Sequence, residues 1–375
     1  MSQPAAPRFL RLRSEPLPLL GRARVYVCGV TPYDVTHLGH AATYIWLDAA
    51  SRVLRHIGVE TEVVRNVTDV DDVLTQAAER AGVPYDAFAA MQQFQFEQDM
   101  TALHVRRPDH EPRAHVYVPH VIALAQALLA QDCAYVAGGS VYFRGADVPS
   151  HAGVEPDEAL ALLREFGEDP DDPLKESPFD VPVWRASSPA PGQPSWPSPW
   201  GPGRPGWHAE CTAMALTLLG SCVDLHSGGA DLRFPHHAYE AAQAEAVTGV
   251  EPFARAWLHA GVVRIGGVKM AKSTGNLLLV SDLLRDHRPD ALRLLVLDRP
   301  WAQPWDVTDE ALEIAEARLD ALYSAAGRGT TNDETSVAAV EQRLLDDLDV
   351  PSAVSIALEA GGSAARTLVS VLALG

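Results

Sequence analysis

The chain has 375 residues, 47% of them hydrophobic, and a formal net charge of −19. This length accommodates two or three domains with an ample core. No apolar run approaches the roughly 18 residues that a membrane span needs, and so acidic a chain lacks the overall basic character typical of proteins that grip large nucleic acids. We therefore predict a protein with neither a membrane segment nor a nucleic acid partner.

The N-terminal segment and the cysteine count predict a cytoplasmic protein. Residues 1–20 contain no long apolar core and no small-residue cleavage site, which argues against a signal peptide. Four cysteines are too few for a disulfide framework in a chain of this length and indicate reduced thiols. The sequence carries no clear signal for oligomeric state, and our working prediction is a monomer.

The next segment of the chain predicts a βαβ unit. Residues 24–29 and 61–67 have the pattern of buried strands, and residues 40–58 between them have that of a helix. Strand, helix and strand over this length predict a parallel sheet. Ligands of such sheets bind at the carboxyl ends of the strands, which is where Cys28 and the segment 66–68 fall.

Two histidines, His37 and His40, open the predicted helix. A helix N-terminus offers free N–H groups and partial positive charge to phosphate oxygens, and Gly39 allows a nucleotide to approach the backbone. Taken alone, this pattern is weak and is more often that of ordinary loop histidines.

The middle and C-terminal parts predict further α/β structure followed by helices. We predict helices over 85–103 and 119–131, a hairpin over 135–143, a long ordered loop or linker over 169–206, α/β structure over 207–280, and helices over 282–297, 309–326 and 337–374, the last interrupted at Gly361-Gly362. The predicted domains are the first half of a nucleotide-binding domain (1–103), an inserted connective domain (104–190), the second half of the nucleotide-binding domain (191–280) and a helical C-terminal region (281–375).

Lysine is rare in this chain, yet two of its three lysines, Lys269 and Lys272, lie three residues apart in one loop. A lysine ammonium is compact and mobile, whereas the arginine guanidinium is a rigid fork. The lysine loop together with the histidine pair predicts an ATP site that activates a carboxylate.

A second set of residues, Cys28, Cys211, His236 and Glu240, has the chemistry of a metal site. The ligands are scattered along the chain, so their spacing alone does not establish a site, and a buried free cysteine is usually a small hydrophobe. Two thiolates, an imidazole and a carboxylate would suit zinc. We interpret Cys133 and Cys222 as ordinary packing residues.

The histidine and lysine motifs resemble the two hallmark motifs of class I aminoacyl-tRNA synthetases. This resemblance implies an α/β fold, with a doubly wound parallel sheet of the Rossmann type split by an inserted domain and followed by helices. It also implies that His37, His40, Lys269 and Lys272 are catalytic and stabilise the attack of an amino-acid carboxylate on the α-phosphate of ATP, with Mg²⁺ as the counter-ion of the nucleotide.

Four segments sharpen the resemblance to cysteinyl-tRNA synthetases and the related mycothiol ligases: 28–31, 66–72, 206–211 and 234–237. The resemblance implies that Cys28, Cys211 and His236 bind zinc, with Glu240 as a further candidate, and that the zinc holds the thiol of substrate cysteine. It implies that the cysteinyl-adenylate is bound by Gly29, Val30, Thr31, Thr43, Asn66, Val67, Thr68, Trp207, Gly229, Ala230, Asp231 and Val263. The alternatives, which we consider less favoured, are a core position for Trp207 and a helix cap for Asp231.

The two families differ in the acceptor of cysteine, which is tRNA in one and glucosaminyl-inositol in the other. Residues 30–42 and the Pro-rich stretch 195–208 resemble the ligases, and the C-terminal segment is short and acidic. We therefore predict a ligase acting on L-cysteine, ATP and glucosaminyl-inositol. The sequence departs from the ligase pattern at Phe166, Glu168, Ser227, Ala230 and Ala271. These departures leave open a divergent paralogue that uses another amine. A cysteinyl-tRNA synthetase and a paralogue without catalytic activity are separate alternatives.

Overall fold

The computed structural model describes residues 9–32, 36–187, 194–270, 275–329 and 333–375. The first elements are β1 (Leu10–Leu12), β2 (Glu15–Leu17), β3 (Arg22–Val30), α1 (Leu38–His56), β4 (Glu60–Val67), α2 (Asp72–Ala81) and α3 (Tyr85–Ala102). The predicted strand, helix and strand are confirmed, because β3 and β4 pair in parallel across α1. The helix α1 buries one face against the sheet, including Ile45, Trp46 and Leu54.

The middle of the chain forms a second, antiparallel sheet. Its elements are α4 (Ala114–Ala130), β5 (Ala134–Ala137), β6 (Ser140–Phe143), α5 (Val148–His151), α6 (Pro156–Glu165), β7 (Val181–Ala186) and β8 (Gly203–Pro205). The strands are ordered β5-β6-β7-β8. The predicted hairpin is confirmed by the antiparallel pairing of β5 with β6.

We predicted a loop or linker over residues 169–206, but the structure has the strands β7 and β8 in this stretch. The prediction was wrong there. Proline and glycine usually interrupt strands, but here glycine permits close approach of the backbone. A Cβ atom on Gly206 would lie 1.8 Å from the carbonyl oxygen of Pro182. Trp184 of β7 is fully buried and Val183 packs beside it, so this stretch belongs to a core.

The second half of the parallel sheet follows. Its elements are α7 (Trp207–Leu219), β9 (Leu225–Gly229), a 3₁₀ turn (Ala230–Leu232), an irregular turn (Arg233–His237), α8 (Ala238–Thr248), β10 (Trp257–Ala260), β11 (Val263–Ile265) and β12 (Val268–Lys269). The parallel strands are ordered β10-β9-β3-β4. The central strand β3 therefore has β4 on one side and β9 on the other. The chain adds β4 on one side of β3 and later adds β9 and β10 on the other, so the order of strands reverses at β3. Doubly wound sheets bind their ligands at such a reversal.

The C-terminal part is helical. Its elements are α9 (Val280–Asp286), α10 (Pro289–Leu297), β13 (Trp305–Asp306), α11 (Asp309–Ala326), α12 (Glu334–Leu345), α13 (Val350–Ala360) and α14 (Gly362–Leu372). The helix predicted over 282–297 is divided in two, because Pro289 lies in the first turn of α10 and the residue before a proline avoids the helical conformation. The predicted interruption at Gly361 is confirmed, where φ is +68°.

These features confirm the predicted α/β class with a parallel sheet and a helical C-terminal region, while the boundaries of the four domains stay predictions. One large hydrophobic core joins α1 and the parallel sheet to the C-terminal helices, and another lies beneath the antiparallel sheet. Among the described residues, no helix combines the length and apolarity needed to cross a membrane.

Candidate active site

A cavity of about 510 Å³ opens at the carboxyl ends of β3, β9 and β10 and beside the start of α1. The predicted site residues that line it are Cys28, Gly29, Val30, Thr31, His37, His40, Thr43, Thr68, Trp207, Cys211, Gly229, Ala230, Asp231, His236, Val263 and Lys269. Three predicted residues, Asn66, Val67 and Glu240, are buried outside this lining. Lys272 and Ala271 lie outside the described residues.

The end of β3 is shaped by a close approach to β4. A Cβ atom on Gly29 would lie 1.5 Å from the carbonyl oxygen of Asn66, so only glycine fits. The Gly29 N–H donates to Asn66 Oδ1 at 2.8 Å, and Asn66 Nδ2 donates to Thr68 Oγ1 at 3.0 Å. Asn66 therefore acts from behind the cavity wall, by holding two lining residues in register.

The four residues Cys28, Cys211, His236 and Glu240, which we call the Cys–His–Glu cluster, lie together at one end of the cavity. Their candidate ligand atoms are all within 4.8 Å of one another, and each residue is at most 5% exposed. The chain brings them from β3, α7, the turn before α8, and α8 itself. The Cys28 thiol donates to Glu240 Oε1 at 3.6 Å.

Burial sets the protonation of the Cys–His–Glu cluster. Burial raises the pKa of the Cys28 thiol well above its usual value and that of Cys211 to about 11. Burial also lowers the pKa of His236, which keeps the imidazole neutral. Burial pushes the pKa of Glu240 upward, but His236 and His226 outweigh it and the net shift is downward. At neutral pH the thiols become thiolates only if a cation compensates their charge, and the donor set of two sulfurs, one nitrogen and one oxygen fits zinc.

Sequence analysis missed two further histidines beside the cluster, His226 and His237. Together with Cys28 and Glu240 they form an alternative set of candidate ligand atoms within 4.8 Å of one another. His226 Nε2 lies 3.2 Å from Glu240 Oε2, and both histidines are at most 1% exposed. His237 was detectable as the neighbour of His236, whereas His226 lies within β9 and only the sheet brings it to Glu240.

The start of α1 carries the histidine pair. His37 is the N-cap residue: its Nδ1 accepts a hydrogen bond from the His40 N–H at 3.4 Å, and the two rings stack with centroids 3.7 Å apart. Burial, with smaller effects of His40 and Lys269, lowers the pKa of His37 to about 3. The ring is therefore neutral at pH 7. Because Nδ1 accepts, Nε2 carries the proton and can donate to a ligand.

The lysine loop reaches the same cavity through β11 and β12. Lys269 Nζ lies 2.7 Å from Asp231 Oδ2, so these two predicted site residues form an ion pair. Downstream of the loop, Leu38 N–H donates to Leu278 O and Val280 N–H donates to Thr36 O, both at 2.9 Å. These bonds join the start of α1 to the segment after the lysine loop, although more than 230 residues separate them in sequence.

Trp207 forms an aromatic wall of the cavity. Its ring stacks on His236 with centroids 4.1 Å apart and an interplanar angle of 21°. It also stacks on Phe166, with centroids 5.9 Å apart and an angle of 18°. Phe166 lines the cavity too, and sequence analysis had marked it only as a departure from the ligase pattern.

Comparisons with known proteins identify the family of this chain. The family described as "tRNA synthetases class I (C) catalytic domain" matches residues 19–317. A protein of Frankia casuarinae named L-cysteine:1D-myo-inositol 2-amino-2-deoxy-alpha-D-glucopyranoside ligase is 43% identical over 355 residues, which cover 91% of this chain and 76% of the relative. Proteins of the same name from Nocardia farcinica and Mycolicibacterium smegmatis are 45% and 44% identical, covering 91% and 89% of this chain and 86% and 82% of the relatives.

Solved structures with low sequence identity support the fold. Mycobacterium tuberculosis methionyl-tRNA synthetase in complex with methionyl-adenylate superposes with a TM-score of 0.64 at 18% identity, covering 95% of this chain and 82% of that one. A second structure of that synthetase, bound by methionyl-adenylate, gives a TM-score of 0.66 at 18% identity, covering 93% and 84% of the two chains. The chain therefore belongs to the class I (C) tRNA synthetase catalytic domain family and, within it, to the L-cysteine:1D-myo-inositol 2-amino-2-deoxy-alpha-D-glucopyranoside ligases.

Proposed function

We propose that this chain joins the carboxyl group of L-cysteine to the amine of glucosaminyl-inositol at the expense of ATP, a step of mycothiol biosynthesis. Its family makes it an ATP-dependent, amide-forming ligase. The observation that carries the proposal is the Cys–His–Glu cluster, which is buried at the end of the same cavity that His37, His40 and Lys269 line. One cavity thus combines a thiol-selective end with a phosphate-binding end.

The first half-reaction forms an adenylate. A carboxylate oxygen of cysteine attacks the α-phosphate of ATP, the bond to the β-phosphate oxygen breaks, and Mg-pyrophosphate leaves. The neutral His37 donates through Nε2, His40 lies against it at the helix N-terminus, and Lys269 supplies positive charge. Negative charge moves onto the leaving pyrophosphate, so donors and cations at this end of the cavity stabilise the transition state more than the ground state.

The Cys–His–Glu cluster accounts for the choice of cysteine. A pocket of ordinary shape discriminates between similar side chains by only ~1–3 kcal/mol. Cys28, Cys211 and His236, with Glu240 as a further ligand, would hold zinc, which would supply a strong preference for a thiolate over a hydroxyl group. The residues themselves exclude water from this end and keep the imidazole in its neutral, ligating form.

The second half-reaction forms the amide. The unprotonated amine of the acceptor attacks the carbonyl carbon of the adenylate, the bond to the phosphate oxygen breaks, and AMP leaves with the amine's proton passed to solvent. The residues proposed to hold the adenylate are Gly29, Val30, Thr31, Thr43, Asn66, Val67, Thr68, Trp207, Gly229, Ala230, Asp231 and Val263. Asp231 is paired with Lys269, so an ammonium or hydroxyl group of the ligand competes with Lys269 for this carboxylate.

A cytoplasmic location, a monomeric state and the lack of a nucleic acid partner remain predictions from the sequence. The family also contains tRNA synthetases, so transfer of cysteine to tRNA is the main alternative, and an amine other than glucosaminyl-inositol is the second.

The test is mass spectrometry of the products formed by the purified protein from ATP, Mg²⁺, cysteine and glucosaminyl-inositol, with a parallel reaction offering tRNA. We expect a cysteinyl amide of the amino sugar and one AMP per amide. AMP release without that amide would contradict the acceptor, and charged tRNA would establish the synthetase instead. No cysteine-dependent exchange of pyrophosphate into ATP would contradict the adenylate mechanism.

A further inference from the structure

His208 is a fully buried histidine to which the mechanism above gives no role. It is the second residue of α7 and lies three residues before Cys211, so the two side chains lie on the same face of the helix. Its ring stacks on Tyr239, with centroids 5.2 Å apart and an interplanar angle of 19°. This stacking fixes the plane of the imidazole and with it the direction in which its nitrogens can form hydrogen bonds.

The two ring nitrogens of His236 face different groups. Nε2 lies 3.5 Å from Glu240 Oε1, so this nitrogen faces the rest of the Cys–His–Glu cluster. Nδ1 lies 3.0 Å from His208 Nδ1. Within the part of the chain that the structure describes, His208 is the only hydrogen-bond partner of this Nδ1. The cluster and His208 therefore contact opposite sides of one imidazole.

The short distance between the two Nδ1 atoms restricts where the protons lie. One Nδ1 must donate to the other, because two lone pairs or two N–H groups would repel each other at 3.0 Å. If His208 donates, a neutral His236 carries its own proton on Nε2 and has no lone pair for a metal there. If His236 donates from Nδ1, its Nε2 lone pair is available to the cluster. Full burial disfavours the charged form of His208, which leaves His208 able to accept.

We propose, on the basis of the zinc site in the proposed function, that His208 is a positioning residue that accepts the Nδ1 proton of His236 and thereby presents Nε2 to the metal. A ligating histidine gains a fixed orientation and a higher basicity when its second nitrogen donates a hydrogen bond. In this protein the acceptor is another imidazole, which carries its own proton on Nε2. The helix α7 thus supplies Cys211 directly and acts on His236 through His208.

The test compares the zinc affinity of His208→Phe, His208→Asn and the unaltered protein. Phenylalanine keeps a ring that stacks on Tyr239 but has no acceptor, whereas asparagine keeps an acceptor oxygen. The matched control is Tyr239→Phe, which removes the hydrogen bond from the Tyr239 hydroxyl to Phe179 O at 2.5 Å in the same core and leaves the two histidines in place. Zinc affinity is measured by titrating a chromophoric chelator into the zinc-loaded proteins at neutral pH.

We expect His208→Phe to weaken zinc binding by about 10–100-fold, the usual effect of losing the hydrogen-bond partner of a metal ligand. His208→Asn should lose less, and Tyr239→Phe should bind zinc as the unaltered protein does. A merely structural role would weaken zinc binding in the control as well, and asparagine would give no rescue. That pattern, or equal affinities of His208→Phe and the unaltered protein, would overturn the proposal.

A second measurement uses the unaltered protein and does not depend on the folding of any variant. Isotope labelling of the histidine nitrogens and long-range proton–nitrogen NMR spectra show which ring nitrogen carries the proton. In the zinc-loaded protein we expect the proton on Nδ1 in His236 and on Nε2 in His208. A zinc-loaded protein in which His208 carries its proton on Nδ1 would show that it donates to His236, contrary to the proposal.

Failure of this proposal is distinguishable from failure of the proposed function. If the unaltered protein does not retain zinc against the chelator, the metal site of the proposed function is wrong, and the role of His208 is wrong with it. If the unaltered protein and His208→Phe retain zinc equally well, only the role of His208 is wrong. If the expected affinities are found but no amide forms with glucosaminyl-inositol, the proposed acceptor is wrong and the role of His208 stands.

Discussion

Cys211 and Cys222 are the same type of residue, but only Cys211 belongs to the Cys–His–Glu cluster. Cys211 is 1% exposed and lies against Cys28, whereas Cys222 is only partly buried and its thiol donates to the adjacent Val223 carbonyl. The same residue type therefore serves two purposes in one chain. Which cysteine belongs to the cluster depends on the elements that surround it, namely α7 and β3.

The first prediction concerns zinc. Replacing Cys211 by alanine removes one sulfur donor, and we expect the purified variant to lose bound zinc and to lose cysteine-dependent pyrophosphate exchange. The measurements are metal analysis by mass spectrometry and the exchange rate, with Cys222→Ala as the matched control. A Cys211→Ala protein that still activates cysteine at the normal rate would remove the metal from the mechanism.

The second prediction concerns Lys269. Its ammonium lies 2.7 Å from Asp231 Oδ2 in the cavity, and adenylation needs positive charge where pyrophosphate leaves. We expect Lys269→Ala to slow adenylation by about 10²–10³-fold with little change in the KM for cysteine. Lys269→Arg retains the charge and should lose less. Equal rates for the alanine variant and the unaltered enzyme, measured by single-turnover formation of the adenylate, would exclude Lys269 from catalysis.

At the scale of elements, α1 connects the chemistry to the fold. Its first turn carries His37 and His40, and its buried face packs on the sheet and on the C-terminal helices. The fully buried Arg293 of α10 pairs with Asp48 of α1 and donates to the carbonyl oxygens of Leu372 and Leu103. One guanidinium thus joins α1, α10 and the ends of α3 and α14.

The third prediction follows from that arrangement. Replacing Arg293 by leucine leaves the buried carboxylate of Asp48 without its closest cation and two carbonyls without a donor. We expect the free energy of unfolding to fall by about 3–5 kcal/mol, measured by urea denaturation. Arg285→Ala, at an exposed pair on α9, should change it by less than about 0.5 kcal/mol. A loss of similar size in both variants would show that Arg293 contributes no more than a surface arginine.

Sequence patterns predicted some helices and strands well and missed others. Amphipathic or apolar segments such as α1, α3 and α11 were predicted close to their observed bounds, because a helix that buries one side shows it in its periodicity. The strands β7 and β8 were missed because their stretch is rich in proline and glycine, which normally indicate turns. In the folded chain Gly203 and Gly206 lie where neighbouring backbone leaves no space for a side chain.

At the scale of the whole molecule, the many buried histidines make stability depend on pH. Burial lowers the pKa of His208 and His237 well below the usual value and that of His259 to about 3. In the unfolded chain these groups titrate near 6.5. As pH falls from about 6.5 towards 3, the unfolded state takes up protons that the folded state does not, so the free energy of unfolding falls. The buried Glu210, whose pKa burial raises, acts in the opposite direction.

The fourth prediction isolates one of these groups. The variant His259→Asn lacks the imidazole that takes up a proton when the protein unfolds. Its free energy of unfolding should therefore fall less steeply as the pH is lowered. We expect the slope between about pH 6 and pH 4 to decrease by ~1.4 kcal/mol per pH unit, measured by urea denaturation at a series of pH values. Groups other than His237, whose Nδ1 lies 2.8 Å from His259 Nε2, titrate in both proteins and cancel in the difference. Parallel curves for the two proteins would contradict the lowered pKa of His259.

By itself the sequence determined the chemistry that this protein carries: a histidine pair at a helix start, two of three lysines in one loop, and scattered thiol, imidazole and carboxylate groups. Residue types and local periodicity are enough for that, because caps, loops and amphipathic faces are local properties. Only the tertiary structure decided which groups meet. Parallel pairing of β3 with β4 and β9 brings Cys28, Gly29, Asn66 and Gly229 to one edge. Tertiary contacts between further segments add His226, Phe166 and the ion pair of Lys269 with Asp231. Such contacts depend on register and packing between distant segments, which no local pattern encodes.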